Sequence, residues 1–193
     1  MTEREALLKA VCENPDDDTP RLVFADWLQE HGEEERAEFI RLQIALARGN
    51  YNPGESARLK QYELQLLLRA RDWRHEVPGA EQVRYVRGLI NHAYFSEVAG
   101  FLNALDRAPL RSVVISGPVD LVTVFKAVST RRIEEIDLGN ADVGKTHIAA
   151  FADTDKWHAP NRLILPWYLA TNEIRERIRA RFRGQVEFKP LFG

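Results

Sequence analysis

The chain has almost no sulfur. Of its 193 residues one is a cysteine, Cys12, and one a methionine, Met1. A disulfide framework within the chain is therefore excluded, and no Cys/His cluster has zinc spacing. Cys12 lies in the helical apolar stretch ALLKAVC and reads as a small core residue rather than a nucleophile. Excess charge is missing too: 27 Lys+Arg against 29 Asp+Glu leave a formal net charge of −2. That excludes a global basic field of the kind that gathers nucleic acid or anionic lipid. No apolar run approaches the thickness of a bilayer, and MTEREALLKAV lacks a signal-peptide core. The expected location is the cytoplasm. What remains is apolar content of 45%, enough to bury the core of one domain or two small ones.

Two halves differ in periodicity. Residues 1–78 read as helical. EREALLKAV repeats its apolar positions at helical spacing, and NPDDDTP then breaks the chain. Thr19 is the expected cap of the next helix, with Pro20 at its first position. RLVFADWLQEH runs to Gly32, a suitable left-handed terminator. EEERAEFIRLQIALARG starts acidic and ends basic, which suits the helix dipole, and SARLKQYELQLLLRARDW follows the turn NYNPGE. Four short amphipathic helices predict a bundle-like module.

Residues 79–193 alternate β-rich runs with short helices. PLRSVVIS, RIEEIDLG, PNRLILPW and RGQVEFKP align on the pairs Val113/Ile115, Ile136/Leu138, Leu163/Leu165 and Val186/Phe188, a period of 23 to 27 residues. VDLVTVFKAVS, THIAAFAD and NEIRERIRARF fall between them, the last with Ile174, Ile178 and Phe182 on one stripe. The earlier segment RGLINHAYFSEVAGFLNAL fits as a cap of the array. IEEIDLGNADVGKTHIAAFA resembles the strand-plus-helix repeat of ribonuclease-inhibitor-like leucine-rich repeats. Ile133, Ile136 and Leu138 take the strand positions, and Asn140 or Ala141 falls near the turn asparagine. Val143-Gly144 matches an Ile-Gly pair, with Ala150 and Phe151 in the helix. The fold class expected is α/β: a helical bundle-like module, then a short leucine-rich-repeat-like solenoid with a parallel sheet.

One stretch competes with that reading. GNADVGKT, residues 139–146, satisfies the phosphate-loop pattern G-x-x-x-x-G-K-[ST] and sits between a strand and a helix. A nucleotidase also needs a second strand ending in an acid to hold magnesium. The next strand, RLILPW, ends in Pro and Trp instead. The stretch therefore reads as a repeat turn, with Lys145 a solvated side chain, and no nucleotide or other cofactor is expected.

The run NPDDDTPRLVFADWLQEHGEEERAEFIRLQ, Asn14 to Gln43, resembles the bacterial repeat-companion domain, a short helical module often found ahead of leucine-rich repeats. The matching letters are Asp17, Asp18, Arg21, Leu22, Val23, Ala25, Asp26, Trp27, Leu28, Glu30, Gly32, Arg36, Ala37, Glu38, Phe39, Ile40, Arg41 and Gln43. The resemblance implies a companion to repeats and carries no catalytic residue. Asp26 with Glu30, and Glu34 with Glu38, lie four apart on one face, with Arg21, Arg36 and Arg41 as expected ion-pair partners. The DDD run lacks calcium-loop spacing, so no metal site is expected.

The function expected is non-catalytic: binding of another protein, such as an effector or regulator, through the exposed face of the repeat sheet. Side chains alternate along a strand, which turns Val114, Asp137, Ile164 and Glu187 outward beside Ser112, Glu135, Arg162 and Gln185. The expected partner-binding residues are Glu135, Asp137, Arg162, Ile164, Trp167 and Tyr168, the last three as apolar anchors. Folding of Trp167 and Tyr168 inward over the last helix is the alternative placement. Other readings are a nucleotide switch at GNADVGKT, or nucleic-acid binding by Arg175, Arg177, Arg179, Arg181 and Arg183. The bland account of those arginines is a solvated helix exterior.

Overall fold

A computed structural model of the chain describes residues 1–128, 132–144, 160–169 and 171–190. By its contacts the chain divides into two compact units. The first comprises Met1–Pro78, Arg84–Asn91 and Leu105–Pro109, and the second Gly79–Val83, His92–Ala104 and Leu110–Gly193.

In the first unit four helices follow one another: α1 (Glu3–Glu13), α2 (Thr19–Glu30), α3 (Glu34–Arg48) and α4 (Pro53–Arg69), the last running into a 3-10 turn, Ala70–Glu76. Each start has a local cause. Thr2 and Glu5 form a reciprocal capping box ahead of α1. Asn52 and Glu55 do the same ahead of α4, where Pro53 occupies the first position. α2 begins at the expected cap itself, one residue early. Asp18 is its N-cap, and the carboxylate of Asp17 accepts from Thr19 N at 2.8 Å, so an aspartate does the work assigned to Thr19. α3 ends at Gly49, whose φ of 73° is the left-handed stop.

The apolar stripes of α1, α2 and α3 meet in a core of Leu8, Val11, Phe24, Leu28, Ile40 and Ile44, which Leu89 joins. A second cluster gathers Phe39, Leu42 and Leu66, with Trp73 and Tyr85 packed against it. Trp27 stacks on Phe24 and His31 along its own helix and packs against the first of these clusters.

Leu89 and Tyr85 flank the turn between β1 (Ala80–Val86) and β2 (Leu89–Phe95). Both central residues have positive φ, Arg87 at 51° and Gly88 at 82°, the signature of a two-residue hairpin turn. α3 grips this turn. Arg36, only 1% exposed, donates Nη1 to the Gly88 carbonyl at 2.5 Å, while Gln43 Oε1 accepts from Gly88 N at 2.6 Å. The rest of the Arg36 guanidinium is bidentate to Glu76, at 3.1 and 3.0 Å, and lies 4.9 Å from the Trp73 ring centroid. Glu76 also accepts from Arg4. Arg87 itself reaches the Asp16 carbonyl and the Asp18 carboxylate. Arg21 turns to the backbone, holding the carbonyls of Pro15 and Asp17.

Of the three arginines expected in ion pairs with the acids of α2 and α3, Arg41 pairs with Asp26 at 2.6 Å, whereas Arg36 pairs with Glu76 and Arg21 holds backbone carbonyls. Burial redirects the other two. A buried guanidinium needs several fixed acceptors at once, and carbonyls plus Glu76 supply them.

In the second unit short helices alternate with parallel strands. These are α5 (Val98–Ala104), β3 (Ser112–Ile115), β4 (Pro118–Val119), α6 (Leu121–Val128), β5 (Glu135–Asp137), β6 (Asp142–Val143), β7 (Arg162–Pro166), α7 (Asn172–Arg181) and β8 (Gln185–Lys189). The larger sheet has the order β1-β2-β3-β5-β7-β8, and β4 pairs with β6 in a small second sheet. From β2 to β8 every neighbour is parallel. The fold is therefore mixed α/β with a mostly parallel sheet, the class expected from the sequence.

The register puts Ala93, Val113, Ile136, Leu163 and Val186 in one row. The first four are fully buried; Val186, on the edge strand, is half-buried. Phe95 meets Phe101 of α5 edge-on, and Ile178 and Phe182 are the buried residues of the α7 stripe. The expected helix THIAAFAD, with Lys145, Thr146, Ala150 and Phe151, lies outside the described residues. Among the described residues no helix is long and apolar enough to cross a membrane.

The turn supplies a direct test. A Cβ on Gly88 would sit 2.3 Å from the Ile40 Cα, whereas one on Gly49 meets nothing within 4 Å. Both glycines have positive φ, so Gly49→Ala isolates backbone strain, about 1 kcal/mol. Gly88→Ala adds the clash with α3 and is expected to cost roughly 3 kcal/mol or more. Urea unfolding of the two variants measures the difference; equal losses would show that the turn is not seated against α3.

Candidate functional site

Parallel register converts three short strands and their neighbours into rows of aligned side chains. One row on the face opposite Val113 and Ile136 reads His92, Ser112, Glu135, Arg162 and Gln185. It is tied together by hydrogen bonds. Ser112 Oγ donates to Glu135 Oε1 at 3.1 Å, which leaves it to accept from Nδ1 of His92 at 2.9 Å. Arg162 donates Nη1 to Glu135 Oε2 at 2.7 Å. Its Nε and Nη2 fork onto Glu187, both at 3.0 Å.

The electrostatics follow from this fork. Hydrogen bonds from Arg162 hold the Glu187 carboxyl below the usual glutamate range. The bonds to Glu187, then those to Glu135, push Arg162 above its ordinary value. Like the pairs across antiparallel strands, these neighbours meet because the register brings opposite charges side by side.

The next row is Tyr94, Val114, Asp137, Ile164 and Glu187. Asp137 accepts from Gly139 N at 2.7 Å and lies 3.9 Å from Lys189 Nζ. Ile164, named from the sequence as an apolar anchor, is only 8% exposed. It sits on an interior strand between Asp137 and Glu187 in register, so little of it is left for a partner to touch.

Trp167 and Tyr168 are different. They occupy a 3-10 turn, Trp167–Leu169, directly after β7, and are 51% and 42% exposed. Arg175 of α7 fixes this turn. Its guanidinium carbon lies 4.5 Å from the Trp167 ring centroid, and Nη2 donates to the Trp167 carbonyl at 2.7 Å. Tyr168 donates its hydroxyl to the Ala141 carbonyl at 3.3 Å. The two rings therefore stand outward on a turn held by polar bonds at both residues.

The same bonds occupy α7. Arg175 is committed to Trp167, and Arg179 pairs with Glu176 while lying over Phe188. Ile178 and Phe182 are buried and Ile174 half-buried, as their spacing predicts.

Within GNADVGKT, residues 139–144 are described. The backbone N–H groups of Gly139, Ala141 and Asp142 go to Asp137 Oδ1, the Leu138 carbonyl and the Gly117 carbonyl. A phosphate loop works by leaving such groups free to converge on an anion. Here Asp142 and Val143 instead pair with Pro118 and Val119 of β4. Lys145 and Thr146 lie outside the described residues. Among the described residues no group of three or more His, Cys, Asp or Glu side chains could hold a metal ion.

Sequence reasoning found the outward rows and the aromatic pair. It missed their internal pairing and the role of Arg175, for which the sequence carried only a faint signal: an Arg one helical turn beyond the cap Thr171. Comparison of the chain with protein-family models, with curated proteins and with solved structures found no match.

Two outcomes are expected. Because three loop N–H groups already have acceptors, ATP and GTP with magnesium are expected to bind no tighter than about 1 mM by calorimetry; micromolar affinity would contradict the turn reading. The Glu187–Arg162 fork gives a pH signature. A carboxyl whose pKa is lowered on folding stabilises the fold above its unfolded pKa, and that contribution disappears as pH falls through the lowered value. Glu187→Gln is therefore expected to lower the urea midpoint near neutral pH and to match the parent in strong acid. A gap that persists undiminished in acid would remove the ion pair as its cause.

Proposed function

We propose that the chain is a non-catalytic, cytoplasmic interaction protein: a helical companion module, residues 1–78, ahead of a short leucine-rich-repeat-like array, residues 79–193. Its partner is another protein, docking on the exposed sheet face. The observation that carries this reading is the pair Trp167 and Tyr168, 51% and 42% exposed on a turn pinned by Arg175 and Ala141. Aromatic side chains held rigid lose little entropy on binding, which is why they dominate interface energetics.

The charged row beside them has a different role. Glu135, Arg162 and Glu187 are already paired, so they add little affinity and instead reject partners with the wrong charge pattern. Asp137, bonded to Gly139 N, belongs to the same charged surface. The repeat register and the resemblance of the N-terminal motif support the assignment.

The test is Trp167→Asp combined with Tyr168→Ala, compared with the parent in crosslinking pull-downs from the native cells. Both side chains are exposed, so the double variant is expected to stay folded by circular dichroism. Loss of two anchors costs roughly 2 kcal/mol or more of binding, about thirtyfold in affinity. Partners captured by the parent should therefore disappear. If the folded variant keeps every one of them, the sheet face is not the binding site.

A further inference from the structure

The helical module carries a groove that none of the above uses. α2, α3 and α4 line an open hollow of about 550 Å³ whose surface is mostly carbon, with Leu42, Ala45, Leu59 and the Tyr62 ring among its lining residues. A second hollow of about 380 Å³ continues from it, sharing Gln29 and Arg41.

The rim is acidic. Glu34 and Glu38 edge the larger cleft, and Asp26 and Glu30 edge the smaller one. Among the described residues that line the two hollows, the cation set against these four carboxylates is Arg41. It is already engaged, by Asp26 at 2.6 Å and by Gln29 at 2.7 Å. Arg69, at the end of α4, pairs with Glu35 rather than with the rim. Among the described residues neither Glu30 nor Glu34 forms an ion pair. Glu38 and Tyr62 both line the larger hollow, and the Tyr62 phenol has its pKa raised, chiefly by its hydrogen bond to Glu38.

These features select a ligand class by exclusion. A carbon-lined floor gives no advantage to a bare metal ion or a small hydrophilic cation. Phosphate, nucleic acid and an anionic membrane are repelled by the rim. A side chain that is apolar, flanked by cationic ones, satisfies both parts. We propose that this groove binds an extended or helical peptide segment of a partner protein, with one large apolar residue seated over Leu42, Ala45 and Leu59 and flanking arginines or lysines paired with Asp26, Glu30, Glu34 and Glu38. Helices that form such clefts commonly receive a peptide this way, with pockets supplying affinity and rim charges supplying orientation.

The groove and the Trp167–Tyr168 turn share no residue, so the two readings fail independently. The probes are short fluorescent peptides carrying Leu, Phe or Trp between arginines, each matched by a counterpart with glutamates in place of the arginines. Anisotropy is expected to show at least one basic peptide binding about tenfold or more tightly than its acidic counterpart, and weakening as salt rises. Glu34→Arg with Glu38→Arg should reduce that binding about tenfold or more. Glu3→Arg with Glu81→Arg changes the net charge equally at exposed positions outside the groove and should reduce it far less. Circular dichroism and melting curves verify that both double variants are folded.

Equal binding of basic and acidic peptides would overturn the proposal. So would equal losses in the two double variants, which would reduce the effect to overall charge. A concentration-dependent dimer abolished only by the groove variant would also overturn it, assigning the groove to the Arg-rich α7 of a second copy.

Discussion

Gly88 can occupy its place against α3 only because it has no side chain. A Cβ there would be 2.3 Å from the Ile40 Cα. With that close approach come two backbone groups deprived of water, and α3 supplies a partner for each: Gln43 for the N–H and Arg36 for the carbonyl. Leaving either unmade would cost about 1–3 kcal/mol. Arg36 in turn can be buried only because Glu76 meets it in a bidentate pair and carbon-rich rings surround it. Removing one member of such a pair strands the other charge, at a cost of about 3–5 kcal/mol. The 3-10 turn that delivers Glu76, the α3 helix and the hairpin turn are thus mutually dependent.

This dependence explains the division of labour among polar residues in the helical module. Asp18, Arg21, Arg36 and Gln43 point into the structure and hold loops: the NPDDD segment, the hairpin turn, the 3-10 turn. Asp26, Glu30, Glu34 and Glu38 lie instead along the open hollows beside α2 and α3, where Asp26 pairs with Arg41.

In the second unit the governing constraint is register. Parallel pairing without a slip sends Val113, Ile136 and Leu163 to the buried face, and the same alternation sends Ser112, Glu135 and Arg162 to the other. On that face Arg162 pairs with both Glu135 and Glu187, so opposite charges on adjacent strands satisfy one another. The aromatic turn beyond β7 is held by Arg175.

By itself the sequence determined what local physics controls. Apolar spacing placed the four N-terminal helices, Gly49 stopped α3, and the pairs at Val113, Ile136, Leu163 and Val186 predicted a row that the strands form in register. Those signals are legible because a helix stripe or a strand alternation is written within a few residues. Even so, local reading assigned the α2 cap to Thr19 when Asp17 and Asp18 compete for the same task. Tertiary structure alone decided where the buried cations turn. Arg36 finds Glu76 across 40 positions and Gly88 across 52, and Gln43 finds Gly88 across 45. It decided that Ile164 is covered while Trp167 and Tyr168 are not, and that four acids from two helices frame one cleft. No pattern within a segment encodes these outcomes, because each depends on which distant backbone groups lose their water first and must be given a partner.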